Sequence, residues 1–402
     1  MQNAAMNYPG ANVRRAPRKV APRDPRPNGL FFKAIFALSY LFLIVASIRF
    51  VRDNPGLLYN LNVLRVGLVG GAGALWIGRS TIDRTMPLSV AIVGVLLSLY
   101  LLTDAIIAFV DVLSLLIFSA ALSRSRDADK FLVYLAYGSL AVVCGIVVLA
   151  TIGVLPTSVF EWDGRVKNAY GFTNPNTLFF YIFASAFTFF ICKEKRGFIL
   201  SGIIMAVLYA GVGSRTFGLG YVVTLIGFFV LNRSNSPILR LGLWIAILVV
   251  SIAGLLTVYF PYEVAEWSSG LFRVSSDELF SSRLSILELA HSDITPAEFW
   301  LGGLENDTDS MYNYFVASFG LLVSLVFMVA TLYRVYKLSK RYGPAPLVFA
   351  LTFLMIGLVE VPFDGAALMS LVFVYALFYQ DRIFERWAVP RLTVRRPAAA
   401  FY

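Results

Sequence analysis

Long apolar runs, separated by short polar connections, make up most of the chain from residue 31 to residue 381. Each run approaches the roughly 20 residues that an α-helix needs to cross the hydrocarbon core of a bilayer. The pattern therefore predicts an all-α fold, a polytopic integral membrane protein with about twelve membrane-spanning helices. These helices are centred near Leu41, Gly70, Gly94, Leu115, Val142, Ser185, Met205, Thr224, Ile247, Leu322, Leu354 and Val374.

The composition supports this class. Of the 402 residues, 58% are hydrophobic and 14% are charged, whereas a soluble domain is about half apolar and a quarter charged. Two cysteines, Cys144 and Cys192, lie in apolar runs without paired spacing, so they predict neither a disulfide framework nor a metal site. The net charge of +10 predicts no nucleic-acid partner, because in a membrane protein the location of each charge matters more than the sum.

Lysine and arginine predict the orientation of the helices. With the N-terminus inside, 26 of the 34 cations fall in inner segments, so the positive-inside rule places both termini in the cytoplasm. Residues 1–30 and 382–402 form basic tails, and the first, which is Pro-rich, is expected to be disordered and to attract anionic membrane lipid. The outer or intramembrane cations are Arg49, Arg52, Arg65, Arg165, Lys167, Arg215, Arg273 and Arg283.

Two outer connections are long, residues 156–176 and residues 261–309, and long ordered loops often carry function. The first contains Arg165 and Lys167 and ends in Asn174-Pro175-Asn176, where Asn176 is the predicted N-cap of the next helix. The second is predicted to be partly helical. It contains Arg283 and Gly302-Gly303, and it ends in carboxylates two residues apart at Glu305, Asp307 and Asp309.

Arg215 lies between the two loops in the sequence and follows Ser214, a good N-cap residue. Unpaired backbone N–H groups at the start of the following helix, together with a guanidinium, form a site suited to a phosphate. The alternative is an arginine that only marks the water interface by extending its charged group out of the bilayer.

In this order and on one face, these elements resemble the family of O-antigen ligases and Wzy-type polymerases of O-antigen and exopolysaccharide, which are membrane glycosyltransferases of the GT-C class. The resemblance extends from about residue 151 to residue 320. Asp309 stands where the ligases carry their characteristic histidine, and the single histidine, His291, matches no motif. The departure favours a polymerase over a ligase. The elements are Arg165, Gly171, Asn174-Pro175-Asn176, Ser214-Arg215, Ser282-Arg283, Gly302-Gly303, Asp309, Tyr312 and Gly320.

The resemblance implies a GT-C-like enzyme of the bacterial inner membrane with a periplasmic active site. Its substrate is an oligosaccharide linked to undecaprenyl diphosphate, it needs no cofactor, and a chain-length regulator protein is an expected partner. Arg215 and Arg283 stabilise the diphosphate that leaves, and Asp309 acts on the acceptor hydroxyl as general base or by orienting it. The implied substrate-binding residues are Arg165, Lys167, Asn174, Asn176, Ser214, Asp307 and Tyr312.

Three alternatives remain open. Asp307-Thr308-Asp309 is also a pattern for a divalent metal site. A ligase-type transferase would move the glycan to another acceptor. The third alternative is a flippase or transporter, which intramembrane charges at Arg65, Asp104, Asp111 and Glu360 would serve. If Arg65 instead pairs with one of the two aspartates, these charges have a structural role.

Overall fold

The computed structural model describes residues 28–79, 106–123, 125, 127–162, 165–231, 236–259, 295–302, 310–358 and 367–387. The helices in these ranges are α1 (Asn28–Ala46), α2 (Arg49–Arg52), α3 (Pro55–Arg79), α4 (Ile106–Ser123), α5 (Ala128–Thr151), α6 (Pro175–Cys192), α7 (Lys195–Val212), α8 (Arg215–Leu231), α9 (Pro237–Tyr259), α10 (Pro296–Leu301), α11 (Met311–Tyr342), α12 (Ala345–Gly357) and α13 (Ala367–Val374). A π-helical segment (Tyr375–Tyr379) and a 3₁₀-helix (Asp381–Trp387) follow α13. Two short strands, β1 (Val159–Trp162) and β2 (Arg165–Asn168), complete the fold.

The apolar runs form helices as the sequence predicts. Every predicted helix centre lies within a helix except Gly94, which falls outside the described residues. Among the described residues, five helices are long and apolar enough to cross a membrane, and the number twelve stays a prediction. The five are Ala128–Thr151, Pro175–Cys192, Lys195–Val212, Pro237–Val258 and Met311–Tyr342.

Helix α6 lies at the centre of the bundle, and every residue from Leu178 to Cys192 is buried. A helix that is apolar on all sides buries all of its faces, and aromatic side chains fill the space around this one. The ring of Phe187 stacks on that of Phe349 in α12, with the centroids 4.6 Å apart. Helix α12 is equally buried, so α6 and α12 together form the core against which the other helices pack.

Glycines bring α8 close to this core. A Cβ on Gly220 would lie 2.8 Å from Ile356 Cδ1, and a Cβ on Gly227 would collide with Val348. Small residues allow two membrane helices to approach closely, which increases the van der Waals contact between them. The contact of Gly220 with Ile356 also places the start of α8 near the end of α12.

The 3₁₀-helix covers one end of the bundle. Arg386 donates a hydrogen bond to Asp129 at the start of α5, with Nη2 2.5 Å from Oδ2. Lys193, the C-cap of α6, donates to the backbone carbonyl of Arg386, and its ammonium lies 4.5 Å from the centre of the Trp387 ring. Burial lowers the pKa of Lys193, and the nearby charges of Lys195 and Arg386 add to this effect.

The two ends of the bundle differ in charge. The strands lie at the end opposite the 3₁₀-helix, and we call it the hairpin end. That the hairpin end faces the periplasm stays a prediction. Described cations at the 3₁₀-helix end include Lys33, Lys130, Lys193, Lys195, Arg196, Arg240, Arg334, Lys337, Lys340, Arg341, Arg382 and Arg386.

Candidate functional site

A β-hairpin occupies the first of the two long loops. Strands β1 and β2 are antiparallel, and the register pairs Phe160 with Lys167 and Trp162 with Arg165. The fold is mostly helical, as predicted, but this hairpin was not predicted. The signal was present in the sequence, because Asp163-Gly164 separates the two strands and an Asp-Gly pair is typical of two-residue hairpin turns.

Backbone hydrogen bonds attach the end of the hairpin loop to the end of α1. Phe172 forms an isolated bridge with Ile48, and the Thr173 N–H donates to the Ser47 carbonyl at 3.2 Å. The Arg49 N–H donates to the carbonyl of Gly171 at 2.9 Å. The loop is therefore held against the first two helices before the chain enters α6.

The hairpin brings Lys167 to the turn between α7 and α8. Its Cε lies 3.7 Å from the position that a Cβ on Gly213 would occupy. Gly213 ends α7 in the left-handed region with φ 61°, and Ser214 next to it is buried. The described structure thus brings together Lys167 and Ser214, two of the predicted substrate-binding residues.

Helix α8 begins at Arg215, where the sequence predicts a helix start after Ser214. The Gly218 N–H donates to the Ser214 carbonyl at 3.4 Å, so Ser214 occupies the capping position. The first N–H groups of a helix have no partner within it, and the helix dipole is positive there. For Arg165 and Arg215 the structure describes the backbone, at the first residues of β2 and α8.

The start of α6 differs from the prediction. Asn174 is the N-cap: its backbone is extended, and its Oδ1 accepts a hydrogen bond from the Asn176 N–H at 2.8 Å. Pro175 occupies the first helical position, where a missing N–H costs nothing. The prediction of Asn176 as the N-cap is wrong, because the proline sets the helix start two residues earlier.

Replacing Asn174 with alanine is expected to lower the free energy of unfolding by about 1 kcal/mol, because the Asn176 N–H loses its acceptor. Asn176→Ala is the matched control, since it removes a side chain but keeps the capped N–H. Thermal unfolding of the detergent-solubilised full chain measures both changes. An equal or larger loss in Asn176→Ala would contradict the assignment of Asn174 as the cap.

Two glycines of the sequence pattern, Gly302 and Gly320, contact each other. Helix α11 is interrupted at Gly320, whose φ of 76° and ψ of 163° are not helical. A Cβ on Gly302 would lie 2.5 Å from the Gly320 nitrogen, and a Cβ on Gly320 would lie 2.7 Å from the Gly302 nitrogen. The chain after α10 therefore packs backbone to backbone against the break in α11.

The first part of α11, from Met311 to Leu321, is buried throughout. The ring of Tyr312 packs on Gly254 of α9, and its hydroxyl faces Ser251. Tyr312, a predicted substrate-binding residue, is 4% exposed and belongs to the packing between these helices.

This segment and its neighbours α9 and α12 carry buried polar groups without a hydrogen bond. Several hydroxyls elsewhere in the bundle bond to a carbonyl of their own helix, as Ser324 does to Gly320 at 2.8 Å. No pattern in the sequence indicates these polar groups, because they come from three helices that lie apart along the chain. Within the described ranges, the buried side chains here that lack a hydrogen bond on a polar atom are Ser251, Ser310, Tyr312, Asn313, Ser318 and Thr352.

The start of α11 lies at the hairpin end of the bundle. Met311 packs on Gly357 at the end of α12, and Ile356 beside it contacts Gly220 of α8. Gly220 is five residues from Arg215, about 7.5 Å along the helix. The first turns of α8 and the start of α11 thus both pack near the end of α12.

Several predicted residues fall outside the described part of the chain. Two of the three predicted catalytic residues, Arg283 and Asp309, are among them. Of the three intramembrane acids, only Asp111 is described, and its backbone lies in α4. Arg65 is buried in α3, which packs on α4. The residues outside the described ranges are Asp104, Arg283, Glu305, Asp307, Asp309 and Glu360.

Comparison with protein-family models, with curated proteins and with solved structures finds no match. A function must therefore be inferred from the residues and their arrangement. The candidate site that the geometry supports consists of Lys167, Ser214 and the start of α8, with the start of α11 at the same end of the bundle.

Proposed function

We propose that this chain is a Wzy-type polysaccharide polymerase. It transfers a growing glycan from undecaprenyl diphosphate to a sugar hydroxyl of another lipid-linked repeat unit, on the periplasmic face of the bacterial inner membrane. The observation that carries the proposal is the position of Lys167 beside the Gly213-Ser214 turn. A cation from one segment of the chain and the helix start of another can together bind one diphosphate.

The donor is bound through its diphosphate. When the bond between sugar and phosphate breaks, negative charge develops on the departing lipid diphosphate. Lys167 and the N–H groups at the start of α8 are donors already held in place, and Arg215 begins that helix. Because they gain strength as the charge develops, they stabilise the transition state more than the ground state. Arg165 and Arg283 complete the set of cations.

The acceptor is a sugar hydroxyl, which becomes a good nucleophile only when a base takes its proton. Asp309 fills this role, with Asp307 beside it in the sequence. Asp309 directly precedes Ser310, the buried N-cap of α11. Burial or a neighbouring carboxylate raises the pKa of a carboxyl, and either would make Asp309 a better base near neutral pH. A metal ion is not needed for this scheme.

The experiment is a glycan ladder from cells that lack the native gene and express either the full chain or no chain. We expect long chains with the protein and single repeats on the surface without it, because only polymerisation is lost. Loss of all surface glycan with accumulation of lipid-linked polymer would indicate a ligase instead. Single lipid-linked repeats stranded inside the cell would indicate a flippase.

The same chemistry is testable with purified protein in detergent and a lipid-linked repeat unit as the sole substrate. We expect elongation without a nucleotide sugar, and unchanged elongation after treatment with EDTA. Activity that disappears with EDTA and returns with Mg²⁺ or Mn²⁺ would support the metal site at Asp307 and Asp309 and would contradict the metal-independent scheme.

A further inference from the structure

A second basic feature lies at the hairpin end, between α2 and β1. There the chain forms an open cleft of about 460 Å³. Strand β1 lines this cleft with Val159 and Phe160, and it pairs with β2, which carries Lys167. Two arginines line the cleft, and neither belongs to the sequence pattern on which the proposed function rests. The lining residues are Arg49, Arg52, Asp53, Ser158, Val159, Phe160 and Thr173.

Arg49 is held in a fixed orientation. Its Nη1 donates to the Thr157 carbonyl at 3.2 Å and to Ser158 Oγ at 2.8 Å. Its Nε donates to Asp53 Oδ2 at 3.2 Å, so one carboxylate already balances its charge. Arg49 therefore ties α2 to the base of the hairpin and shapes the cleft.

Arg52 supplies a positive charge that no described carboxylate balances. It lies three residues after Arg49 in α2, a spacing that places both on one side of a helical turn. Its side chain is exposed, and within the described part of the chain it forms no ion pair or side-chain hydrogen bond. The lining thus carries two arginines against one aspartate, with the planar fork of Arg52 free for an anion. Such a fork matches the oxygens of a phosphate.

The walls of the cleft are apolar. Val159 is 62% exposed and Phe160 is 41% exposed, and nearby Phe50 of α2 is 53% exposed. Phe50 follows the apolar helix α1 along the chain, and β1 brings Val159 and Phe160 to the same cleft. Apolar and aromatic side chains beside an apolar helix are typical of a membrane surface. A free phosphate would leave this apolar surface uncovered, whereas a lipid phosphate brings hydrocarbon to it.

We propose that the cleft binds the phosphate group of an anionic lipid, with Arg52 as the principal contact. The proposal concerns lipid binding alone. A polymerase acts on two lipid-linked chains, so the acceptor's lipid phosphate fits this cleft while Lys167 and the start of α8 hold the donor. This last step rests on the proposed function.

The test uses the purified full chain, in which native mass spectrometry counts bound dioleoyl phosphatidylglycerol. We expect Arg52→Gln to bind this lipid about tenfold more weakly than the unmodified chain, because a charged hydrogen-bond donor is lost. Arg382→Gln is the matched control, since it removes an exposed guanidinium at the opposite end of the bundle and should change nothing. Arg49 is unsuitable because its bonds hold the loop.

Two results would overturn the proposal. The first is equal retention of phosphatidylglycerol by the unmodified chain and Arg52→Gln. The second is binding of inorganic phosphate that depends on Arg52 while no lipid is retained, which would assign the cleft to a free anion. Glycan ladders from the same variants separate the two proposals. Loss of lipid with an unchanged ladder supports lipid binding and removes its link to polymerisation.

Discussion

Replacing Arg215 with alanine is expected to reduce polymer synthesis by about 10²–10³-fold, the usual loss when one donor to a developing oxyanion is removed. Arg215 is the first residue of α8 and follows the turn that Lys167 contacts. The substitution removes the guanidinium but leaves the helix start and Lys167 in place. Elongation of a lipid-linked repeat by the purified full chain measures the change.

Three comparisons make this result specific. Arg215→Lys should retain part of the activity, because it keeps the charge and loses the planar fork of donors. Lys167→Gln should reduce the rate in the same direction. Arg382→Gln, which removes a cation from the opposite end of the bundle, should leave the rate unchanged. Full activity in Arg215→Ala would show that Arg215 only marks the membrane interface, and the proposed mechanism would be wrong.

Replacing Gly320 with alanine is expected to lower the free energy of unfolding by about 3 kcal/mol or more. Its φ of 76° and ψ of 163° lie in a region that essentially only glycine adopts. A Cβ there would also lie 2.6 Å from the Leu301 carbonyl carbon and 2.7 Å from the Gly302 nitrogen, which are backbone atoms that cannot turn aside. Either α11 straightens or the chain after α10 is displaced.

The apparent Tm of the solubilised full chain and its size-exclusion profile measure this loss. Gly302→Ala should act in the same direction, because its Cβ would meet the same contact from the other side. Gly145→Ala in α5 is the control, since a Cβ there meets nothing within 4 Å and the effect should stay within about 1 kcal/mol. An unchanged Tm in Gly320→Ala would contradict the contact between the two glycines.

The helices were predictable because their signal is local. An apolar run of about 20 residues forms a helix in a bilayer whatever its neighbours are, since every backbone group must be satisfied within the segment. The predicted centres at Leu115 and Ser185 illustrate this, as both lie within helices. The distribution of lysine and arginine along the chain is equally local, and the orientation that it indicates stays a prediction.

The N-cap of α6 and the β-hairpin depend on the chemistry of a few neighbouring residues, and the sequence predicted them only in part. The turn residues around Pro175 indicated a helix start but not which asparagine caps it. Asp163-Gly164 pointed to a hairpin, yet the predicted fold was all-α. In both cases the sequence contained the signal, but the same few residues were also compatible with another interpretation.

The sequence alone thus decided the class of the protein, its helices and the order of its polar motifs, because each depends on neighbours along the chain. Tertiary structure decided which motifs meet. It packs Gly302 on Gly320, brings Lys167 to Gly213 and shapes the cleft beside Arg52. These contacts join segments that lie far apart in the sequence. Their geometry follows from how closely the helices between them pack, which no local pattern encodes.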